Sequence, residues 1–121
     1  MNKTKKVITI VMTALASAMA GLSGVMKFVK TPQIVESLTK VDVIDYVYFL
    51  GSMEIGFAIL FIFPKTFKIG FLLLTCYFAG AIATELSHHT PFNAITPLVL
   101  IWIAAFLRDS SLFLPTPEAK A

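Results

Sequence analysis

Charged residues in this chain fall almost entirely between long apolar runs. Val7–Met26 carries no charge over twenty residues, and Tyr46–Phe63 carries only Glu54. Ile69–Thr84 carries none, and Leu86–Leu107 carries none when both histidines are neutral. A membrane-spanning helix needs about 20 residues, with a range of roughly 17–25. The third run reaches that length from Phe67 to Leu86 if Glu85 lies near one face. Backbone groups in lipid must pair within their own segment, so these runs predict helices. The apolar–polar alternation of a β-barrel is not visible. The pattern therefore predicts an all-α four-transmembrane-helix bundle, with helices at 7–28, 46–63, 67–86 and 92–108 in one membrane domain, 1–110. Residues 111–121, which include Pro115 and Pro117, read as a disordered cytoplasmic tail.

The connections add detail. Pro64-Lys-Thr-Phe-Lys68 is a short turn, so the second and third spans are antiparallel neighbours. Between the first and second spans, Thr31-Pro32 has the form of a helix cap followed by proline at the first helical position. Ile34, Leu38 and Val41 then recur at helical spacing, which predicts a short amphipathic helix at the membrane surface. A plain loop is the alternative. The first span also has two readings. Its basic start and Ala16-Ser-Ala18 or Ala18-Met-Ala20 have the form of a cleaved secretory signal. Against this, the apolar run continues to Met26, and Ala16, Ala20 and Gly24 recur four apart, as in a tightly packed membrane helix. We expect a retained helix.

Composition agrees with a lipid environment: 57% of the 121 residues are hydrophobic, the mean hydropathy is +0.83 and only 14% are charged. A soluble domain is nearer a quarter charged. The net charge of +3 is an orientation signal. Seven basic residues (Lys3, Lys5, Lys6, Lys65, Lys68, Arg108, Lys120) fall on one side. Three (Lys27, Lys30, Lys40) fall on the other, among Glu36, Asp42 and Asp45. The positive-inside rule then places both termini in the cytoplasm, with a bacterial inner membrane as the expected location. Basic residues split across loops do not make a nucleic-acid footprint. The single cysteine, Cys76, excludes dithiol chemistry within this chain.

Four stretches, Gly24-Val-Met-Lys-Phe28, Thr31-Pro-Gln-Ile-Val-Glu-Ser-Leu38, Gly51-Ser-Met-Glu-Ile-Gly56 and Pro64-Lys-Thr-Phe-Lys-Ile-Gly70, occur in an order and spacing that resembles the DoxX-like family of small four-helix integral membrane proteins. The resemblance spans residues 10–110 and departs from the family pattern at Lys40–Asp45, where relatives often carry a Gly-Pro-containing stretch. It implies the fold. It also implies a link to quinone-dependent oxidoreductase complexes, or to assembly factors and oxidative-stress complexes, with no catalysis by this chain alone and no cofactor of its own beyond a quinone ligand.

Glu54 is the residue that demands an explanation. At ~1.5 Å per residue it lies about 12 Å along the second span, near the middle of a ~30 Å apolar layer. A charge there costs at least ~2.5 kcal/mol even on the most lenient insertion scale. Gly51, Glu54 and Ala58 share a helical stripe that is small on either side of the carboxylate, as a helix-facing surface should be. Glu54 is therefore expected to face the bundle interior. Lys27, Glu85, His88, His89 and Asn93 lie toward one end of the bundle, as do Tyr46, Tyr48 and Thr96. Together they suggest an outward-opening polar cup with Glu54 at its floor and the amphipathic segment as lid.

Each of these residues has a plainer reading. Lys27 and Glu85 could snorkel to the interface, the histidines could be solvated, and Glu54 could simply lock helices together. Glu85-Leu-Ser-His88 has the Glu-x-x-His spacing of di-iron bundles, but those need two such motifs and two further glutamates, so no metal site is expected. The preferred function is binding of a quinone or other small amphipathic ligand in the bilayer. The alternatives are an accessory protein whose polar groups contact a membrane protein partner or a homodimer mate, and a small transporter or proton relay. For orientation, a cysteine placed at His89 should label from outside and one placed at Lys65 should not; the reverse pattern would invert the topology.

Overall fold

The protein is described by a computed structural model covering residues 2–115. Five α-helices follow one another: α1 (Lys3–Val29), α2 (Pro32–Lys40), α3 (Val47–Ile62), α4 (Phe67–Ser87) and α5 (Ile95–Arg108). Single 3₁₀ turns at Ile44–Tyr46 and Ser110–Leu112 precede α3 and follow α5. Among the described residues there is no strand.

Local chemistry sets the helix ends. Asn2 accepts a hydrogen bond from Lys5 N at 2.7 Å, so α1 starts at Lys3, four residues before the expected Val7. It ends where Lys30 turns left-handed (φ 58°) and returns its N–H to Met26 O. Thr31 caps α2 through Ile34 N, with Pro32 in the first turn, and α2 is the amphipathic helix that the sequence predicts. α5 begins at Ile95, three residues later than expected, because residues 91–94 form a turn.

The four long helices close a ring. α1 packs on α3 and α5, and α4 packs on the same two, so chain neighbours are also spatial neighbours. This is the up-down-up-down arrangement of a four-helix bundle. The buried side of α3 reads Val47, Gly51, Glu54, Ala58, Phe61, alternating steps of four and three as in knobs-into-holes packing.

The exposed side chains reveal the solvent. The interior holds Ala16, Ala20, Ala58, Ala104 and Ala105 together with Phe61, Leu74 and Ile101. The outside displays Leu22 (61% exposed), Phe49 (63%), Ile69 (57%) and Leu72 (60%). So many large apolar side chains on the outside are stable only where lipid replaces water. α1, α4 and the Ile44–Ile62 segment containing α3 are each long and apolar enough to cross a membrane. α5 is equally apolar but has 14 residues, about 21 Å at 1.5 Å per residue, so alone it falls short of a ~30 Å apolar layer.

The expected tail differs from the structure at its start. Leu112 and Phe113 pack against the core, and the Phe113 ring lies 5.0–5.8 Å from those of Trp102, Phe71 and Phe106. Aromatic burial outweighs the Pro-rich, loop-like composition here; residues 116–121 lie outside the described residues. Arg108 fastens this end by donating to the carbonyls of Phe61 and Ile62, the otherwise open C-terminus of α3, while stacking 3.9 Å from the Phe67 ring centroid.

Two close approaches depend on glycine. A Cβ on Gly24 would lie 2.9 Å from Gly51 O, and one on Gly51 the same distance from Gly24 O, so α1 and α3 touch backbone to backbone there. A Cβ on Gly70 would lie 2.3 Å from Phe61 N. Nothing lies within 4 Å of such an atom on Gly56. Gly70→Ala should therefore destabilise the protein by about 1–3 kcal/mol as an overpacked contact, whereas Gly56→Ala should not destabilise it. Thermal unfolding in detergent measures both, and equal melting temperatures for the two variants would contradict this packing.

Candidate functional site

The site grows out of the Gly24–Gly51 crossing. α1 and α3 are antiparallel, so Lys27 and Glu54 lie one turn from this crossing in opposite directions, and the close approach lets the lysine stem span the difference. Lys27 Nζ donates to Glu54 Oε1 in an ion pair whose members are 6% and 0% exposed. Ser23, one turn before Lys27, accepts from Lys27 Nζ at 3.0 Å and donates to Glu54 Oε1 at 3.3 Å. From α4, Tyr77 OH donates to the same oxygen at 2.9 Å. Three helices thus converge on one carboxylate oxygen. The other, Oε2, is buried with no partner. A buried acceptor left unmet costs about 1–3 kcal/mol.

Above this cluster lies a cavity of about 600 Å³. That is within the roughly 300–1,000 Å³ range of small-molecule sites. Lys27, Glu54, Ser23 and Tyr77 line its polar end. Its apolar walls come from Leu50 and Met53 on α3, Phe78 and Ala81 on α4, and Pro91, Ala94 and Pro97 around the start of α5. α2 contributes Ile34 and Leu38, followed by Val41, so the apolar stripe of the amphipathic helix covers the cavity. None of α2's own residues is fully buried, which fits a cover over a hollow better than a packed core helix.

The family model described as the DoxX-like family matches residues 11–107. The chain belongs to the DoxX-like family. The matched span runs from α1 to the last turn of α5 and so contains every residue of the polar cluster and the cavity wall. No curated protein and no solved structure matches the chain. Family membership and the three long apolar helices together make this an integral membrane protein.

The structure distributes the sequence-predicted residues of this DoxX-like chain unevenly. Lys27 and Glu54 meet, and Glu85 and Asn93 line the cavity. Both oxygens of Glu85, however, accept backbone N–H groups, Oε2 from Asn93 at 3.0 Å and Oε1 from Ala94 at 3.2 Å. Glu85 is therefore an acidic cap at the N-terminus of α5, where the helix dipole favours negative charge. His88 and His89 do not line the cavity. His88 Nε2 lies 3.1 Å from Asp42 Oδ2 and Nδ1 lies 3.0 Å from Thr84 O, which ties the loop after α2 to the end of α4. His89 occupies an exposed left-handed turn position (φ 57°). Tyr46 and Tyr48 point away as well; Tyr48 stacks on Phe28 at 5.6 Å under the Lys30 ammonium. Among the described residues no three His, Cys, Asp or Glu side chains converge as metal ligands.

Tyr77 is the participant that the sequence reading missed. The available signal was a tyrosine at mid-span, since a buried hydroxyl needs a partner. Its stripe with Gly70, Leu74 and Phe78 on the inner side of α4 would have pointed it toward Glu54.

Proposed function

We propose that this DoxX-like membrane protein binds a small amphipathic molecule, of which a quinone is one candidate, in the cavity between α2 and the helix ring. The supporting observation is a charged, multiply hydrogen-bonded cluster beside a cavity whose wall is mostly apolar, with Thr84, Glu85, Thr90 and Asn93 as further polar lining. A cluster that served only to join helices would need no hollow beside it. A cavity for lipid tails alone would need no ion pair at its floor. The combination suits a ligand with a polar head and an apolar body, entering by displacement of α2. The positive-inside pattern would put the mouth and α2 on the outer face of a bacterial inner membrane. In this reading the chain supplies binding and orientation, and any redox step belongs to a partner subunit.

The test is native mass spectrometry of protein purified in mild detergent. One small organic molecule per chain should be retained. Ala81→Phe, which fills the apolar wall without touching the ion pair, should abolish most of that retention and shift the melting temperature little. Retention unchanged by Ala81→Phe would sink the reading. So would a stoichiometric co-purifying protein with an empty cavity, the pattern expected of an assembly factor.

A further inference from the structure

We propose that the end of the ring opposite the α2 cavity carries a second binding site, which holds the phosphate of an anionic phospholipid. At ~1.5 Å per residue its α1 wall, at Thr9, lies about 27 Å from Lys27, so the site is independent of the ligand reading above.

A groove of about 570 Å³ lies there between Thr9, the turn that leads into α4, and Arg108 at the end of α5. Its charges are unbalanced. Lys65, Lys68 and Arg108 line it against one carboxylate, Asp109. That carboxylate is engaged elsewhere: Asp109 Oδ1 accepts from the Ser111 amide at 3.1 Å and from the Ser111 hydroxyl. Lys68 approaches Asp109 Oδ2 only to 3.8 Å, beyond hydrogen-bond distance. Among the described residues Lys65 and Arg108 make no ion pair.

Arg108 is the fixed element of the groove. Its guanidinium is held by the carbonyls of Phe61 and Ile62 and by the Phe67 ring. These partners set its orientation and bring no negative charge. It donates through one hydrogen on each terminal nitrogen and keeps its other N–H groups. A guanidinium already held in one orientation matches the oxygens of a phosphate. Lys65 and Lys68, both exposed, add ammonium groups that can close on the same anion.

The apolar part of the wall decides between a lipid and a free phosphate. Ile69 lines the groove, and Leu72 follows it on the same face of α4; they are 57% and 60% exposed. Together they lead from the cations onto the outer apolar surface of the bundle, where acyl chains lie. A soluble phosphate would use the cations alone, whereas a phospholipid uses both. Basic pockets at the ends of membrane helices take anionic headgroups in this way.

The test is native mass spectrometry of the full chain in mild detergent. Equal amounts of 1-palmitoyl-2-oleoyl phosphatidylglycerol and the matching phosphatidylcholine are added. The wild-type protein should retain one phosphatidylglycerol in preference by about 10-fold or more, since each basic residue near an anionic headgroup contributes about 5-fold. Lys65→Gln/Lys68→Gln, at two exposed positions, should cut that preference by at least about 5-fold. Lys3→Gln/Lys5→Gln/Lys6→Gln removes more charge from the same end but none from the groove, and should change it by less than about 2-fold. Equal retention of the two lipids by the wild-type protein would overturn the proposal. So would a preference that survives the Lys65 and Lys68 changes, or one lost equally in both variants. Displacement of phosphatidylglycerol by excess glycerol phosphate, but not by chloride at the same ionic strength, would overturn the lipid assignment in favour of a soluble phosphate.

Discussion

The structure turns on one constraint: a lysine and a glutamate must find each other inside an apolar layer. Neither could remain charged there alone without a cost of several kcal/mol. Their meeting dictates what surrounds them. The four-carbon stem of Lys27 reaches Glu54 only if α1 and α3 cross closely, and that crossing requires bare backbone at Gly24 and Gly51. Ser23 and Tyr77 then share the carboxylate with the lysine, which draws α4 into the same contact. Three of the four ring helices are thus tied through one oxygen atom, although the lipid gives apolar side chains no hydrophobic reason to associate.

The cavity and the cluster have a common origin in the shape of the ring. α5 begins late, after the turn that carries Pro91, and Glu85 holds the first amides of that helix in place. The ring is therefore complete near Arg108, where Phe61 and Phe67 fill the interior and the returning Phe113 packs against it, and open near Lys27. α2 lies over the open end with its apolar residues turned inward. A single-helix seal of this kind, half-buried and backed by a hollow, belongs to the low-stability part of a fold, where ligand-binding elements are drawn from.

Much of this was legible in the sequence, for identifiable reasons. A lone carboxylate among seventeen uncharged residues announces itself, and the Gly51–Glu54–Ala58 stripe pointed it inward, because helical periodicity is a local property. The Thr31-Pro32 start of α2 is equally local. The placements that the sequence did not reveal all depend on tertiary structure. Glu85 and the histidines lie in one stretch of chain at the correct end of the bundle, so proximity in sequence suggested one site. The left-handed turn at His89 faces that residue outward, His88 is turned to Asp42, and Glu85 is consumed by backbone amides. Tyr77 went unnoticed because an aromatic residue within an apolar run carries no charge to mark it. The aromatic anchoring of Phe113 was hidden by a composition that otherwise reads as loop.

The central claim, that the Lys27–Glu54 pair organises the bundle, is tested most directly by a double-mutant cycle on stability in detergent. Lys27→Met and Glu54→Gln should each destabilise by about 3–5 kcal/mol, because each strands the other partner. The double variant should recover much of the loss, giving a coupling energy of at least ~2 kcal/mol, within the range seen for contacting residues. Additive effects, with the double variant as unstable as the sum of the singles, would contradict the account.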